Sequence, residues 1–244
     1  MFEFNFDKRI LYVILGCLAV YCVMNFANGS LLSTLFALPA VLVAITFHEY
    51  AHGWMADKLG DETPRMQGRL TLNPLAHLDP AGFILLLFAG FGWGKPVQIN
   101  TRNFNRNVSA TKGETLVALA GPVMNFILSI VFALLLGMCY KFISTEFLSS
   151  SIGQVIFLLI QECIIINIGL GVFNLLPLPP LDGSKIFLNL FSYNARRWIM
   201  EHERFFYYAF LVVWITGIAS IIIAPIISSL YNGLMFIIMK IFGI

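Results

Sequence analysis

Long apolar segments, separated by short polar ones, dominate the pattern of the chain. About 20 apolar residues span a bilayer core as a helix, and six segments are near or above that length. They cover residues 10–28, 33–57, 113–140, 152–175, 205–224 and 226–243. A shorter run at 81–92 has only about 12 residues, which predicts a re-entrant or interfacial segment. The pattern therefore predicts an all-α polytopic membrane protein.

A different pattern appears between the second and third spans. Residues 92–100, GWGKPVQIN, alternate enough to predict the edge strand of a short β-hairpin, and Pro96 suits an edge position. No linker or repeat divides the chain, so we expect one membrane-embedded domain over residues 1–244, with its core at about 33–190.

Composition and charge support this topology. The chain is 59% hydrophobic and 11% charged, whereas soluble domains have about 25% charged residues. With a cytoplasmic N-terminus, all 15 Lys and Arg residues except Lys141 fall on the cytoplasmic side, as the positive-inside rule requires. The C-terminus is then also cytoplasmic, in the cell membrane if the source is bacterial. The basic residues thus give no indication of nucleic-acid binding.

The first span allows two interpretations. Lys8 and Arg9 precede it, as they would precede the apolar region of a signal peptide. The segment is long for that purpose, and Ala27-Asn28-Gly29 is a poor cleavage site. We therefore expect a membrane anchor.

Three ionisable residues interrupt the second span, in the sequence HEYAH at 48–52. On a helix, His48 and His52 share one face with Cβ atoms about 5–6 Å apart, so both imidazoles can reach one zinc ion. Glu49 is rotated by about 100° from His48 and suits a general base that activates water. Two hydrogen-bonded histidines and a helix-end glutamate are the alternative, but ionisable groups within a span are costly and usually mark function.

A catalytic zinc site needs a third protein ligand and an open position. The best candidate is Asp182, in NLLPLPPLDG at 174–183, where three prolines end the fourth span. Irregular backbone is tolerated at membrane depth only where protein buries it or where it lines a watery cavity. The alternative is that Asp182 only caps the next helix. The ligand interpretation assumes that this segment reaches the depth of His48, about 13 Å from the cytoplasmic edge.

Asn125 lies in the third span, within LAGPVMNF at 119–126, about 16 Å from its cytoplasmic end. Gly121 allows a close helix approach and Pro122 frees a backbone carbonyl. An amide near the metal can hold a developing oxyanion or a substrate carbonyl. An interhelical hydrogen bond without a catalytic part is the alternative.

Together these motifs resemble those of the site-2 protease family of intramembrane zinc metalloproteases. The matching stretches are HEYAH at 48–52, Gly-Pro-x-x-Asn at 121–125, and Asn-x-x-Pro-x-x-Pro-Leu-Asp-Gly at 174–183 within a resemblance that covers about 35–190. The resemblance implies one Zn²⁺ per chain on His48, His52 and Asp182, with Glu49 activating water for attack on a membrane-embedded peptide bond. A single-span membrane protein is the implied substrate.

Two further features resemble the compact subgroup of this family, which has no PDZ or nucleotide-sensing domain. The stretch RLTLNPLAHLDPAG at 69–82 places His77 in a position that implies contact with the substrate or transition state, although a histidine that only orders the loop is the alternative. In the family an edge strand pairs with unwound substrate, and the alternative is a plain structural hairpin. The resemblance thereby implies substrate binding by Lys95, Pro96, Val97, Gln98, Ile99 and Asn100.

The sequence therefore predicts an intramembrane zinc endopeptidase that cuts near the cytoplasmic side. Two other functions stay open at this point. A non-catalytic protein that retains membrane segments needs no base, so an intact Glu49 argues against it. A metal transporter needs ionisable groups along a path across the bilayer, and the outer halves of the spans offer almost none. Glu162, in the middle of the fourth span, receives no role.

Overall fold

The computed structural model describes residues 30–89 and 92–244, and its regular secondary structure there is helical. The α-helices of this part of the chain are α1 (Ser30–Lys58), α2 (Thr63–Met66), α3 (Pro80–Ala89), α4 (Ala110–Phe142), α5 (Thr145–Ser149), α6 (Ser151–Asn174), α7 (Asp182–Leu188), α8 (Tyr193–Glu201), α9 (Glu203–Ile215) and α10 (Ile218–Phe242).

Within the described residues, four helical segments are long and apolar enough to cross a membrane: Thr34–Lys58, Ala110–Phe142, Ser151–Asn174 and Ile218–Phe242. The first three agree with the predicted spans at 33–57, 113–140 and 152–175 to within a few residues. The predicted span at 10–28 lies outside the described residues.

The predicted division between 205–224 and 226–243 is wrong. Helix α9 ends at Ile215 and α10 begins at Ile218, so the break falls before the position expected. Gly217 supplies the break with a left-handed backbone, φ 74°, a conformation that costs glycine little. Pro225, at the predicted boundary, lies inside α10 and does not interrupt it. With 13 residues, α9 is about 20 Å long, shorter than a bilayer core of roughly 30 Å.

The predicted β-hairpin is also absent from the described residues. A single antiparallel bridge joins Leu78 to Gly94, and residues 95–100 have no regular secondary structure. The reason lies in the partners of this segment, since carboxylates of Glu49 and Asp61 bind the backbone N–H groups of Val97 and Asn100. The apolar run predicted at 81–92 forms the short helix α3, and its entry into the membrane stays a prediction.

The described residues divide into two compact units, one containing 30–38 together with 78–89 and 92–95, and the other 39–77 and 96–244. Every candidate site residue except Lys95 belongs to the second unit. A single domain over 1–244 stays a prediction.

The core of the second unit lies between α4, α6 and α10. Ser109 and Ser150 cap the starts of α4 and α6 by accepting hydrogen bonds from Lys112 N and Gly153 N. The helices then pack through a buried apolar cluster of Ala133, Leu136, Phe157, Ile160, Ile164, Ile168, Val172, Ala219, Ile223 and Ile238. Their outward faces carry exposed apolar residues such as Val131, Ile156 and Ile221, as expected of helices that face lipid.

Candidate metal centre

Three side-chain atoms from two helices meet at one point in the second unit. His48 and His52 lie one turn apart on α1, and their Nε2 atoms are 3.0 Å apart. Each Nε2 is also 3.0 Å from Oδ2 of Asp182, the first residue of α7. The three side chains are 7%, 10% and 14% exposed, so the cluster is largely shielded from solvent.

The remaining ring nitrogens fix the tautomers of both histidines. Nδ1 of His52 donates to the carbonyl of Val117 at 2.7 Å, and Nδ1 of His48 donates to Oδ1 of Asn125 at 2.7 Å. A neutral imidazole that donates from Nδ1 has a bare lone pair on Nε2. Two such lone pairs and a carboxylate oxygen therefore point at one another, and they repel unless a cation lies among them.

This donor set fits a zinc ion. The three ligand atoms are close enough to bind one metal ion. Neighbouring ligands of a tetrahedral zinc with bonds of about 2.0–2.1 Å stand about 3.3–3.4 Å apart, near the separations here. Two imidazole nitrogens and one carboxylate oxygen are also the ligands of many catalytic zinc sites. Each histidine is held by a second partner on Nδ1, as metal-bound histidines usually are.

Asp182 reaches the cluster because of how α7 begins. Leu181 is the cap residue of this helix, and no side chain caps it, so the expected alternative of a capping Asp182 is not observed. A Cβ on the next residue, Gly183, would lie 2.3 Å from the carbonyl oxygen of Leu176. Asp182 thereby places its carboxylate oxygen against the two imidazoles.

Gly121 of α4 lies directly against the ligand imidazoles. A Cβ built on Gly121 would be 2.4 Å from Nε2 of His52 and 2.6 Å from Cε1 of His48. No real Cβ approaches another atom so closely, so a side chain there would displace the rings. The glycine of the Gly-Pro-x-x-Asn motif thus keeps open the space in which a metal ion would sit.

We predict that Gly121→Ala lowers zinc affinity by at least about 10-fold, because the added methyl group displaces metal-binding imidazoles. Gly233→Ala is the matched control, since Gly233 also lies inside a membrane helix but a Cβ there has no atom within 4 Å. Zinc titration of both purified variants measures the effect. Equal affinity in the two variants would contradict the geometry.

Glu49 lies half-buried one residue after His48, and its Oε2 accepts a hydrogen bond from the backbone N–H of Val97 at 2.9 Å. Arg69 is nearby, only 5% exposed, and donates to the carbonyl of Ala76. Burial lowers the pKa of the Arg69 guanidinium, and the charge of Glu49 opposes that shift. In the sequence Arg69 has only a topological charge, because nothing in the pattern distinguishes it from the other basic residues of that loop.

Asn125 is fully buried, and its amide is engaged on both sides. Besides accepting from His48, it donates from Nδ2 to the carbonyl of Ala44 at 3.1 Å and to Oδ1 of Asn167 at 2.9 Å. Binding an oxyanion would require Asn125 to give up one of these contacts. The predicted oxyanion role therefore stays a prediction, whereas contacts between helices are present.

His77 is buried in the loop between α2 and α3, and its Nε2 donates to the carbonyl of Thr71 at 2.8 Å. This contact orders the loop, as the alternative interpretation expected. A contact with substrate or transition state stays a prediction. Lys95 is exposed and belongs to the first unit.

Asp61 anchors the segment that approaches Glu49. It is fully buried just beyond α1 and accepts hydrogen bonds from Asn100 N at 2.6 Å and Asn103 Nδ2 at 2.9 Å, as well as from Thr63. Burial alone would raise the pKa of the Asp61 carboxyl. The hydrogen bonds from these donors lower the pKa by more than burial raises it, so it lies below its ordinary value. No role for Asp61 is predictable from the sequence, because Asn100 and Asn103 are distant from it in the chain.

We predict that Asp61→Asn destabilises the protein by about 1–3 kcal/mol, because the amide NH₂ would face donors. Because the pKa of Asp61 is lower in the folded state, its carboxylate stabilises the fold at pH values above its unfolded pKa of about 3.9. This contribution is lost as the pH falls through the folded pKa. Denaturant unfolding at pH 7 and at about pH 2, below the unfolded pKa, measures both effects. The variant should depend less on pH than the wild type, while Glu62→Gln, at an exposed neighbour, should resemble the wild type.

The chain is similar to a family of peptidases and to proteins named as zinc metalloproteases. The profile of peptidase family M50 matches residues 141–217. YwhC of Bacillus subtilis, named as a zinc metalloprotease, is 40% identical over 191 residues, which are 78% of this chain and 84% of the relative. Rip2 of Mycobacterium tuberculosis, also named as a zinc metalloprotease, is 32% identical over 148 residues, which are 58% of this chain and 52% of the relative. MJ0611 of Methanocaldococcus jannaschii, also named as a zinc metalloprotease, is 28% identical over 186 residues, which are 75% of this chain and 85% of the relative. No solved structure matches the chain.

Proposed function

The chain belongs to peptidase family M50, the site-2 protease family, and from this membership we propose that it is a zinc endopeptidase that cuts membrane-embedded segments. The convergence of His48, His52 and Asp182 within 3.0 Å of one another is the observation that carries the proposal. Two of these groups lie on a helix apolar enough to cross a membrane, where ionisable side chains usually mark function.

In this proposal the two histidines and Asp182 hold one Zn²⁺. When bound, zinc supplies a Lewis acid that polarises a peptide carbonyl and lowers the pKa of a water molecule. The relatives named as zinc metalloproteases support the choice of metal, and so does the ligand set of two imidazoles and one carboxylate.

Glu49 acts as the general base. Its position next to His48 on α1 brings a carboxylate beside the ligand cluster, and the Val97 N–H restrains Oε2. Glu49 takes a proton from the attacking water and later delivers it to the leaving nitrogen, the two proton transfers that peptide hydrolysis requires. Arg69 places a buried positive charge near Glu49.

The substrate is a transmembrane segment of a single-span protein. A helix hides its peptide carbonyls in its own hydrogen bonds, so the segment must unwind before it can be cut. Residues 96–100 have no regular secondary structure, and the Val97 N–H binds Glu49. In this proposal the backbone groups of the segment that Glu49 and Asp61 do not bind pair with the unwound substrate. The excess of basic residues in the loops favours a cytoplasmic position for the Lys58 end of α1. We therefore infer that the cut lies in the cytoplasmic half of the substrate and that proteolysis releases a cytoplasmic fragment.

The test uses the purified chain in liposomes with labelled single-span peptides. Matched peptides differ at one position of the membrane segment, Gly in one and Leu in the other, and mass spectrometry locates the cut. We expect cleavage inside the apolar segment, on its cytoplasmic side, and faster for the Gly peptide, since Gly weakens a helix by about 1 kcal/mol. Cuts confined to the polar flanks would contradict the substrate class, and metal flux without any cleavage would favour a transporter.

A further inference from the structure

A chain of buried amides leads from His48 to the middle of α6. Oδ1 of Asn125 accepts from His48 Nδ1 at 2.7 Å, and Nδ2 of Asn125 donates to Oδ1 of Asn167 at 2.9 Å. Asn167 in turn donates from Nδ2 to the backbone carbonyl of Cys163 at 2.7 Å. Asn125 and Asn167 are both 0% exposed. Asn167 has no predicted role, and its signal in the sequence is a single amide in the apolar run IIINIG at 164–169.

The last acceptor in this row of hydrogen bonds, the Cys163 carbonyl, fixes the direction of every hydrogen bond in the row. The Cys163 carbonyl only accepts, so the NH₂ group of Asn167 must face it and its oxygen must face Asn125. Asn125 must then present its NH₂ group to Asn167 and its oxygen to His48. An oxygen at that place requires a proton on Nδ1 of His48 and leaves Nε2 bare toward the ligand cluster.

The carbonyl of Ala44 supports the same orientation, since it too accepts from Nδ2 of Asn125, at 3.1 Å. Ala44, however, belongs to the same helix as His48, one turn before it. Asn167 binds the Asn125 amide from a different helix, α6. It therefore restrains the position of that amide between α1 and α6.

We propose that Asn167 is a positioning residue that fixes the orientation and tautomer of His48 through Asn125. The inference rests on the proposed function, because it assigns Asn167 a part in metal binding. Partners behind a metal-bound histidine orient its ring, and their loss costs about 10–100-fold in metal affinity. An amide pair that only joins α4 to α6 is the competing explanation, and it makes a different prediction for the metal.

The decisive experiment is a double-mutant cycle on zinc affinity, measured by chelator competition on the full chain in detergent. We expect Asn167→Leu to weaken zinc binding by about 10–100-fold and Asn125→Leu to weaken it at least as much. Because Asn167 acts through Asn125, the double variant should bind no more weakly than Asn125→Leu alone. The absorption spectrum of bound Co²⁺ should change in both single variants.

Two variants separate this role from general packing. Ser129→Ala removes another buried hydrogen bond of α4, from Ser129 to the carbonyl of Phe126, and should leave the zinc Kd unchanged. Asn167→Asp should restore near wild-type affinity, since a buried carboxyl group stays protonated and keeps both an acceptor for Asn125 and a donor for Cys163.

Each outcome has a distinct meaning. A wild-type zinc Kd in Asn167→Leu, or an effect that adds to that of Asn125→Leu, would overturn the positioning role while leaving the proposed function intact. If Asn167→Leu does not fold, Asn167→Ala takes its place, and failure of every Asn167 variant to fold would make the residue structural and overturn the inference. A wild-type chain that binds no zinc would instead overturn the proposed function.

Discussion

Replacement of Asp182 by alanine is expected to abolish both zinc binding and peptide cleavage. Asp182 supplies the only carboxylate oxygen among the three clustered ligand atoms, 3.0 Å from Nε2 of both histidines. Without it, two imidazole lone pairs remain to hold the cation. The loss of affinity should exceed the roughly 10–100-fold that loss of an outer partner costs, so zinc should dissociate during purification.

Metal analysis and a cleavage assay on the purified variant test this expectation. Glu201→Ala is a suitable control, because that carboxylate pairs with Arg197 on an exposed helix face, and an exposed ion pair contributes little. The control should keep one zinc per chain and full activity. A zinc Kd for Asp182→Ala equal to that of the wild type would remove Asp182 from the metal site.

Replacement of Glu49 by glutamine should separate metal binding from catalysis. Glutamine keeps the shape of the side chain and an oxygen for the Val97 N–H, but it cannot take a proton from water. General acid–base catalysis contributes about 10²–10⁴-fold to the rate, so we expect kcat to fall by at least about 100-fold. The zinc content should stay at the wild-type level, because Glu49 is not among the three clustered ligand residues.

Glu162→Gln provides a matched control for this experiment. It makes the same chemical change in a membrane helix, α6, at a glutamate for which neither the sequence nor the described contacts suggest a catalytic role. We expect its kcat and zinc content to match the wild type. Undiminished turnover by Glu49→Gln would mean that another group activates water, or that the cleavage observed comes from a contaminating protease.

Local patterns predicted the membrane helices near the site well. The runs at 33–57, 113–140 and 152–175 are bounded by charges, serines or prolines, and the structure places helices there with small changes at their ends. The pattern failed at 205–224, where apolar residues continue through the helix break at Gly217. The predicted boundary falls at Pro225, which lies inside α10, whereas the helix breaks at the left-handed Gly217, eight residues earlier.

The site itself was predictable as far as spacing along one helix determines geometry. His48 and His52 on α1 follow directly from an interval of four residues, and the proline-rich stretch before Asp182 indicated irregular backbone near the metal. Contacts between distant parts of the chain were not accessible in this way. Nothing in the local sequence shows that Asp61 binds the backbone of Asn100, or that the Val97 N–H meets Glu49 in place of a strand partner.

Metal dependence of cleavage by the wild-type chain tests the central claim most directly. Zinc would be removed from the purified protein with a chelator, and cleavage of one labelled single-span peptide would be followed as zinc is added back. We predict that the metal-free chain does not cut and that activity returns with one equivalent of zinc per chain. Full activity of a chain shown to contain no metal would contradict the assignment of His48, His52 and Asp182 as a catalytic zinc site.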